Sequence, residues 1–141
     1  MKCSVRWLND GMSFLATTGS GHLIPMDGAP EAGGQNLAAR PMELLLAGAG
    51  GCSAFDLVLI LKRGRHSIVD CSVHLEAERA SEDPKVFTRI HLRYEVCGKD
   101  LKRDVVERAV KLSKDKYCSA SVMLGKTAEI THEVVITESR V

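Results

Sequence analysis

Two of the five cysteines in this 141-residue chain stand where a thiol could take part in chemistry. Cys52 lies in LLLAGAGGCSAFDLVLIL, residues 44–61, among small residues that leave room for a ligand, and Cys118 lies in KYCSAS at a predicted helix end, where Ser119 would cap a following turn. The reactive form of a cysteine is the thiolate, which needs stabilisation that a mid-helix position does not supply. The residue types alone are equally consistent with redox chemistry and with burial as small apolar side chains.

Asp56 follows Cys52 by one helical turn. A carboxylate disfavours a thiolate beside it, so a chemical role for both residues requires a cation that neutralises Asp56. The alternative is a buried carboxylate that pairs with an arginine or lysine for structural reasons. The guanidinium groups nearest in sequence belong to Arg6, Arg40, Arg63 and Arg65.

The remaining cysteines and the histidines give no pattern of their own. Cys3, Cys71 and Cys97 fall in predicted strands or at a strand end, where a free cysteine is usually a small buried hydrophobe. An odd number of cysteines without a C-x-x-C pair indicates neither a disulfide framework nor a zinc site. The five histidines are scattered without ligand spacing, so we expect no metal site.

Composition excludes several classes of partner. The 19 lysines and arginines balance 18 aspartates and glutamates, and aromatic residues make up only 4%, so nothing favours nucleic acid or an anionic membrane surface. The first ten residues, MKCSVRWLND, carry charge and lack the apolar core of a signal peptide. We therefore expect a cytoplasmic protein with reduced thiols.

The pattern along the chain predicts a single α+β domain over residues 1–141. Alternating residues at 2–8, 12–18 and 22–26 predict an N-terminal β-meander, with Asn9-Asp10-Gly11 as a hairpin turn. The Gly-, Pro- and Ala-rich segment 27–40 predicts a mobile loop. After a long helix, residues 68–79 and 86–96 predict a hairpin, residues 101–117 an amphipathic helix, residues 119–124 a short apolar piece, and residues 127–137 a final strand.

The long central helix begins at Pro41 and ends near Arg63. It is apolar on all sides, and Asp56 and three glycines argue against a membrane span. Such a helix must be buried, yet one small domain has too little other material to surround it. A homodimer that shares the central helices would cover it. Glycine costs about 0.5–1 kcal/mol in a helix interior relative to alanine, and close approach of another backbone would justify that cost.

In its motifs and in the order of its elements, the chain resembles the OsmC/Ohr family, the osmotically inducible and organic hydroperoxide resistance proteins. The resemblance rests on Pro41, on the apolar helix with Gly-Gly-Cys52-Ser, and on Tyr117-Cys118-Ser119. The phrases PMELLLAGAGGCSAFDLVLILKRGR and LSKDKYCSASVML look most like its YhfA-like branch. The order of strands, helices and cysteines matches over essentially the whole chain.

The resemblance implies an intertwined α+β homodimer with two interface sites, each built on two cysteines of one chain. Cys52 would be peroxidatic, attacking the distal oxygen of an organic hydroperoxide to become a sulfenic acid. Cys118 would be resolving, condensing with it to a disulfide. No bound cofactor is implied, and an external dithiol, lipoyl-type or small, would restore the thiols. Disulfide formation requires Cα atoms within about 7 Å or a movement that brings them there.

The sequence departs from the family pattern before the reactive cysteine. The peroxidases of the family have a glutamate directly after the proline, holding a catalytic arginine, and Met42 occupies that position here. Glu43 is the nearest carboxylate, but it lies about 180° around the helix from Cys52. The early turn that carries the family's arginine has none here, so Arg40 is the substitute by proximity, or else an exposed loop arginine.

Three functions therefore compete. The first is a thiol-dependent peroxidase of organic hydroperoxides in oxidative stress defence, with Arg40, Glu43 and Asp56 as possible supporting residues. The second is a non-enzymatic dimeric module that holds a small hydrophobic ligand at its interface. The third is a regulatory thiol protein that exchanges disulfides with partners.

Overall fold

The N-terminal segment forms the antiparallel meander that the alternation predicts. The computed structural model describes residues 1–9 and 11–139, and the chain divides into two units, Met1–Leu45 and Leu46–Val141. In the first unit, β1 (Cys3–Trp7), β2 (Phe14–Thr18) and β3 (Leu23–Met26) pair in that order. Asn9 and Gly11 both have positive φ, as a tight hairpin requires, while Asp10 lies outside the described residues. A single domain over the whole chain stays a prediction.

A buried aspartate organises the loop that follows β3. The Asp27 carboxylate accepts hydrogen bonds from the backbone N–H groups of Gly28, Gln35 and Leu37 at 2.7 to 3.1 Å. The bond from Leu37 is the largest of the influences that lower the pKa of this carboxyl, with those from Gly28 and Gln35 acting in the same direction against the effect of burial. The segment predicted as a loop is thus folded around one acid and contains a short 3-10 turn, Pro30–Ala32.

Helix α1 spans Pro41–Arg63, the bounds that Pro41 and the basic end predict. Its buried residues recur at nearly every fourth position, which places them on one face: Ala49, Gly50, Ser53, Leu57 and Leu61. Leu57 and Leu61 are fully buried, and burial of each such side chain contributes about 1.5–3 kcal/mol. One face of α1 is therefore fixed within the chain.

The opposite face of α1 is uncovered. A Cβ at Gly50 would lie 2.6 Å from Leu75 Cδ1, so this glycine permits close packing within the second unit, whereas Gly48 and Gly51 border open space. Phe55 is 68% exposed. Among the described residues, α1 alone is long and apolar enough to cross a bilayer, and 28% of its most apolar stretch is buried. The predicted dimer would cover this exposed face.

The second sheet lies in the second unit and has the strand order β4-β5-β6. β4 (Ser67–Arg79) and β5 (Phe87–Lys99) form the predicted hairpin, and β6 (Glu129–Glu138) lies parallel to β5. An irregularity in pairing skips Thr88, so Phe87 and Ile90 are both buried although three positions apart. This bulge explains the imperfect alternation of the sequence.

The crossover between the parallel strands contains two short helices and an irregular turn. α2 (Arg103–Leu112) buries Val106, Ala109 and Val110 on one face. One turn of π-helix, Ser113–Tyr117, extends it to the predicted end, and α3 (Ser119–Leu124) follows. The expectation that Ser119 caps this last helix is wrong, because Cys118 is the cap and Ser119 is the first helical residue.

Candidate functional site

Two cysteines and one aspartate from distant parts of the sequence meet in the second unit. One Sγ or carboxylate oxygen from each of Cys52, Asp56 and Cys118 lies within 4.8 Å of those from the other two. Cys52 and Asp56 are four residues apart on α1 and therefore share a face, while Cys118 comes from the junction of the π-turn and α3. We call these three residues the thiol cluster.

Cys118 is the buried member of the thiol cluster, with no exposed surface. Its sulfur accepts hydrogen bonds from the Ser121 N–H at 3.4 Å and the Ser121 hydroxyl at 3.1 Å, and it lies 4.0 Å from the Ala49 carbonyl. Burial raises the pKa of the Cys118 thiol; the Ser121 hydroxyl opposes that effect and neighbouring Cys52 adds to it. This thiol therefore keeps its proton at neutral pH, whereas Cys52 is half-buried and more open to solvent.

Ser113 holds the aspartate of the cluster and the backbone of Cys118 together. Its buried hydroxyl donates to Asp56 Oδ2 at 3.0 Å, and its carbonyl accepts the Cys118 N–H at 2.8 Å. Within residues 46–139, Asp56 forms no hydrogen bond or ion pair with an arginine or lysine. Among these residues, the carboxylate thus has a neutral partner in place of the cation expected for a structural ion pair.

A second hydrogen bond fixes α1 on the sheet beside the cluster. The hydroxyls of Ser53 and Tyr94 form a hydrogen bond, and Tyr94 is 2% exposed. Burial raises the pKa of the Tyr94 phenol; the Ser53 bond opposes this, while charge on Cys118, Cys71 or Asp56 reinforces it. Because Ser53 directly follows Cys52, this bond sets the rotation of α1 and hence the direction of the Cys52 side chain.

Arg40 and Glu43 belong to the first unit and interact there with each other. The Arg40 N–H donates to Glu43 Oε2 at 2.9 Å, and the Arg40 carbonyl accepts from the Leu44 N–H. This is the glutamate half of a capping box, so Glu43 stabilises the start of α1. The Nε of Arg40 is buried and has no hydrogen-bond partner among the described residues.

Another two cysteines and one aspartate lie on β4 and β5, and we call Asp70, Cys71 and Cys97 the sheet group. Asp70 pairs with Cys97 and Cys71 pairs with Val96. Consecutive residues of a strand point to opposite faces, so Cys71 and Cys97 cannot meet. Burial, followed by the charge of Asp70, raises the pKa of the Cys71 thiol. Cys3, the remaining cysteine, is exposed on β1.

The thiol cluster can support two kinds of chemistry. Two neighbouring thiols can be oxidised to a disulfide and reduced again, and the carboxylate can accept a proton in that reaction. Thiolate and carboxylate are also metal-ligand types, so the same three residues could hold a metal ion. Sequence reasoning identified all three members but missed Ser53, Tyr94, Ser113 and Ser121. The spacing of Ser121 three positions after Cys118 was a usable signal, because it matches the cap-to-third-residue bond of a helix start.

Comparison with known proteins places these residues in a family context. The family model described as OsmC-like protein matches residues 33–133. Protein YhfA of Escherichia coli strain K12 is 48% identical over 132 residues, which cover 94% of this chain and 95% of that protein. A hypothetical protein from Aquifex aeolicus VF5 is 27% identical, with a TM-score of 0.84 over 99% of this chain and 97% of its own. An organic hydroperoxide resistance protein OsmC from Legionella pneumophila shares the fold at 17% identity, with a TM-score of 0.70 over 94% of each chain.

Proposed function

Because the chain belongs to the OsmC-like family, as its residues predicted, we propose that it is a thiol-dependent redox protein that reduces organic hydroperoxides in stress defence. The observation that carries the proposal is the approach of the Cys52 and Cys118 sulfurs to within 4.8 Å. Residues so far apart in sequence come this close through α1 and the crossover. The name of the Legionella protein, an organic hydroperoxide resistance protein, supports the choice of substrate class.

In the first step of the proposed cycle, the hydroperoxide oxidises the sulfur of Cys52. Its thiolate attacks the distal oxygen of the hydroperoxide, the O–O bond breaks, and the alkoxide leaves as an alcohol after taking a proton. Cys52 becomes a sulfenic acid. Its greater exposure favours it over fully buried Cys118, because the attacking sulfur must reach a substrate that arrives from solvent.

The second step joins the two sulfurs. Cys118 attacks the Cys52 sulfenic sulfur, the S–O bond breaks, and water leaves with the Cys118 proton. Because burial raises the pKa of Cys118, its proton must be removed as it attacks, and the Asp56 carboxylate lies within 4.8 Å of both sulfurs. Asp56 accepts this proton and passes it to the departing hydroxide. The Ser113 hydroxyl keeps Asp56 in position.

An external dithiol completes the cycle without a bound cofactor. Its two thiols reduce the Cys52–Cys118 disulfide through a mixed disulfide and leave as an oxidised disulfide, so one dithiol balances one hydroperoxide. The cytoplasm, where thiols are kept reduced, suits such a cycle.

The cation that activates Cys52 is proposed to be Arg40. Within residues 46–139, no lysine or arginine forms a hydrogen bond or ion pair with the acidic member of the thiol cluster. The Arg40 guanidinium has a buried nitrogen without a hydrogen bond, which is costly unless a partner satisfies it. A substrate oxygen would be such a partner, whereas Glu43 is already used as a helix cap.

A homodimer is part of the proposal because α1 leaves an apolar face uncovered. An open groove of about 490 Å³ runs along that face, lined by Gly51, Ala54, Phe55, Val58, Leu59 and Lys62. Gly48 and Gly51 border open space, which would admit the backbone of a second α1. Phe55→Glu should convert the dimer to monomer, and sedimentation of the variant beside wild type would measure it.

The decisive experiment follows the two thiols after addition of cumene hydroperoxide. Peptide mass mapping should find one Cys52–Cys118 disulfide, and turnover with a dithiol should disappear in Cys52→Ser and in Cys118→Ser. Persistence of both free thiols in excess peroxide would overturn the proposal. Arg40→Lys and Arg40→Ala then test the cation, since both should slow the first step while leaving disulfide closure unchanged.

The apolar groove also favours a second candidate, a binding module for a small hydrophobic molecule. Native mass spectrometry and peroxide turnover, measured together on wild type and Cys52→Ser, distinguish the two functions. Under the binding function, Cys52→Ser retains a ligand. Under the redox function, the same variant loses turnover, whatever it retains.

A further inference from the structure

We infer that the reduced thiol cluster is a metal site that binds Zn²⁺ through Cys52, Asp56 and Cys118. The cluster supplies two sulfur ligands and one carboxylate oxygen, all within 4.8 Å of one another. Two ligands come from positions four apart on α1, and the third comes from the crossover. The sequence showed no such site because its spacing resembles neither a C-x-x-C pair nor a cluster of histidines.

The distances suit a small tetrahedral ion. Zn–S bonds of about 2.3 Å and Zn–O bonds of about 2.1 Å place ligand atoms about 3.6 to 3.8 Å apart. The three atoms of the cluster need to close by about 1 Å from an upper limit of 4.8 Å, which side-chain rotation can supply. Cys52 and Asp56 are both half-buried, so an ion can reach the site from solvent.

Hydrogen bonds already orient two of the three ligands. The Ser113 hydroxyl holds one oxygen of Asp56, and the Ser121 N–H and hydroxyl both point to the Cys118 sulfur. Such partners of metal ligands fix side-chain direction and stabilise the negative charge of a thiolate. These hydrogen bonds therefore fix the directions of two ligand side chains before an ion binds.

The donor set also determines which ion fits. Two thiolates and one carboxylate favour Zn²⁺ over Mg²⁺ and Ca²⁺, which prefer oxygen ligands alone. Three protein ligands leave a fourth position of a tetrahedral ion open to water or a small molecule. Formation of a Cys52–Cys118 disulfide removes both thiolates, so metal binding and the oxidised state exclude each other.

The test uses the full-length, tag-free protein reduced with a phosphine, because histidine tags and dithiols bind zinc themselves. Titration with Zn²⁺ alone should show one tight site per chain by calorimetry. Co²⁺ should give a thiolate charge-transfer band and the visible bands of a tetrahedral ion. No peroxide is present, so the outcome is independent of the proposed peroxidase cycle.

Variants identify the ligands. Cys52→Ser and Cys118→Ser should each weaken zinc binding by at least about 100-fold, and Ser113→Ala by about 10-fold, in the range that loss of an outer partner causes in known sites. Cys71→Ala should leave the affinity unchanged, because its thiol belongs to the sheet group. In wild-type protein, Zn²⁺ should protect half-buried Cys52, but not exposed Cys3, from alkylation.

Two results would overturn the inference. One is the absence of saturable binding at micromolar Zn²⁺ by folded, reduced protein. The other is binding that persists unchanged in both Cys52→Ser and Cys118→Ser, which would place the ion elsewhere. If a variant fails to fold, the alkylation pattern of wild-type protein still decides between these results.

Discussion

The second unit contains the same residue types in two arrangements, the thiol cluster and the sheet group. Each has two cysteines and one aspartate. The thiol cluster draws its members from a helix and a crossover, and its three ligand-type atoms lie within 4.8 Å of one another. The sheet group draws its members from two paired strands, yet strand alternation directs its two thiols to opposite faces.

The direction of the thiol pKa shift does not separate the two arrangements. Burial raises the pKa of Cys118 in the thiol cluster and of Cys71 in the sheet group. The difference lies in what each thiol can reach, since Cys118 has a second thiol and a hydroxyl-bound carboxylate beside it. Side-chain direction, more than acidity, is therefore what makes one arrangement suited to chemistry.

The largest expected effect is on disulfide formation, when the cysteines of one arrangement are replaced and those of the other are kept. A variant without Cys52 and Cys118 should form no peroxide-dependent intramolecular disulfide, because the sheet thiols cannot meet. A variant with Cys3→Ser, Cys71→Ala and Cys97→Ala should retain full disulfide formation. Quantitative thiol counting before and after one equivalent of cumene hydroperoxide would measure both. A disulfide within the sheet group would contradict the comparison.

Removal of Cys118, the proposed resolving thiol, should change the product of oxidation. Cys118→Ser should accumulate a Cys52 sulfenic acid that a dimedone reagent traps, because its condensation partner is gone. Serine still accepts the Ser121 N–H, so the start of α3 should remain intact. Rapid loss of the sulfenic acid in this variant, without added thiol, would show that another group resolves it.

The aspartates give an effect of intermediate size. Asp56→Asn should slow disulfide closure by about 100-fold, the lower end of the usual contribution of a positioned base, and should not slow sulfenic acid formation. Asp70→Asn is the matched control, because Asp70 adjoins the half-buried thiol of Cys71 but accepts the Cys71 N–H. Quenched single-turnover mapping would resolve the two steps. Equal closure rates in both variants would remove Asp56 from the mechanism.

The smallest effect is on stability at alkaline pH. In the unfolded chain the Cys118 thiol loses its proton near its ordinary pKa of 9.0, while the folded state, with its raised pKa, retains it. The folded state then binds more protons, so the free energy of unfolding falls as pH rises above about 9, and this contribution is intact below that pH. Cys118→Ala should flatten the slope in urea titrations of reduced protein, and Cys71→Ala should do the same. A slope unchanged in either variant would contradict the assigned burial effect.

Much of the fold could be predicted from local signals. Pro41 and the basic residues at the end of α1 gave its bounds, and alternation gave the meander and the hairpin. The bulge at Thr88 only disturbed that alternation. The parallel pairing of β5 with β6 was beyond local reasoning, because it depends on contacts across the crossover.

The residues of the thiol cluster could be predicted from the sequence, but the contacts that hold them together could not. Cys52 and Asp56 share a helical face by spacing alone, whereas the pairing with Cys118 came from family resemblance. Ser113 continues the buried face of α2, because it follows Val106 by seven positions and Val110 by three. The helical period therefore places its hydroxyl on the packed side, but nothing in that period indicates that Asp56 lies opposite it.

The parallel β5–β6 pairing also sets the order in which the thiol pair can assemble during synthesis. Cys52 leaves the ribosome well before Cys118, and Cys118 lies in a crossover that is held in place only once β6, beginning at Glu129, has joined β5. A nascent chain therefore carries Cys52 without the thiol that is proposed to resolve it. A sulfenic acid formed in that interval can oxidise further to the irreversible sulfinic acid. The unfinished protein is thus most vulnerable to the oxidants that the finished protein is proposed to remove.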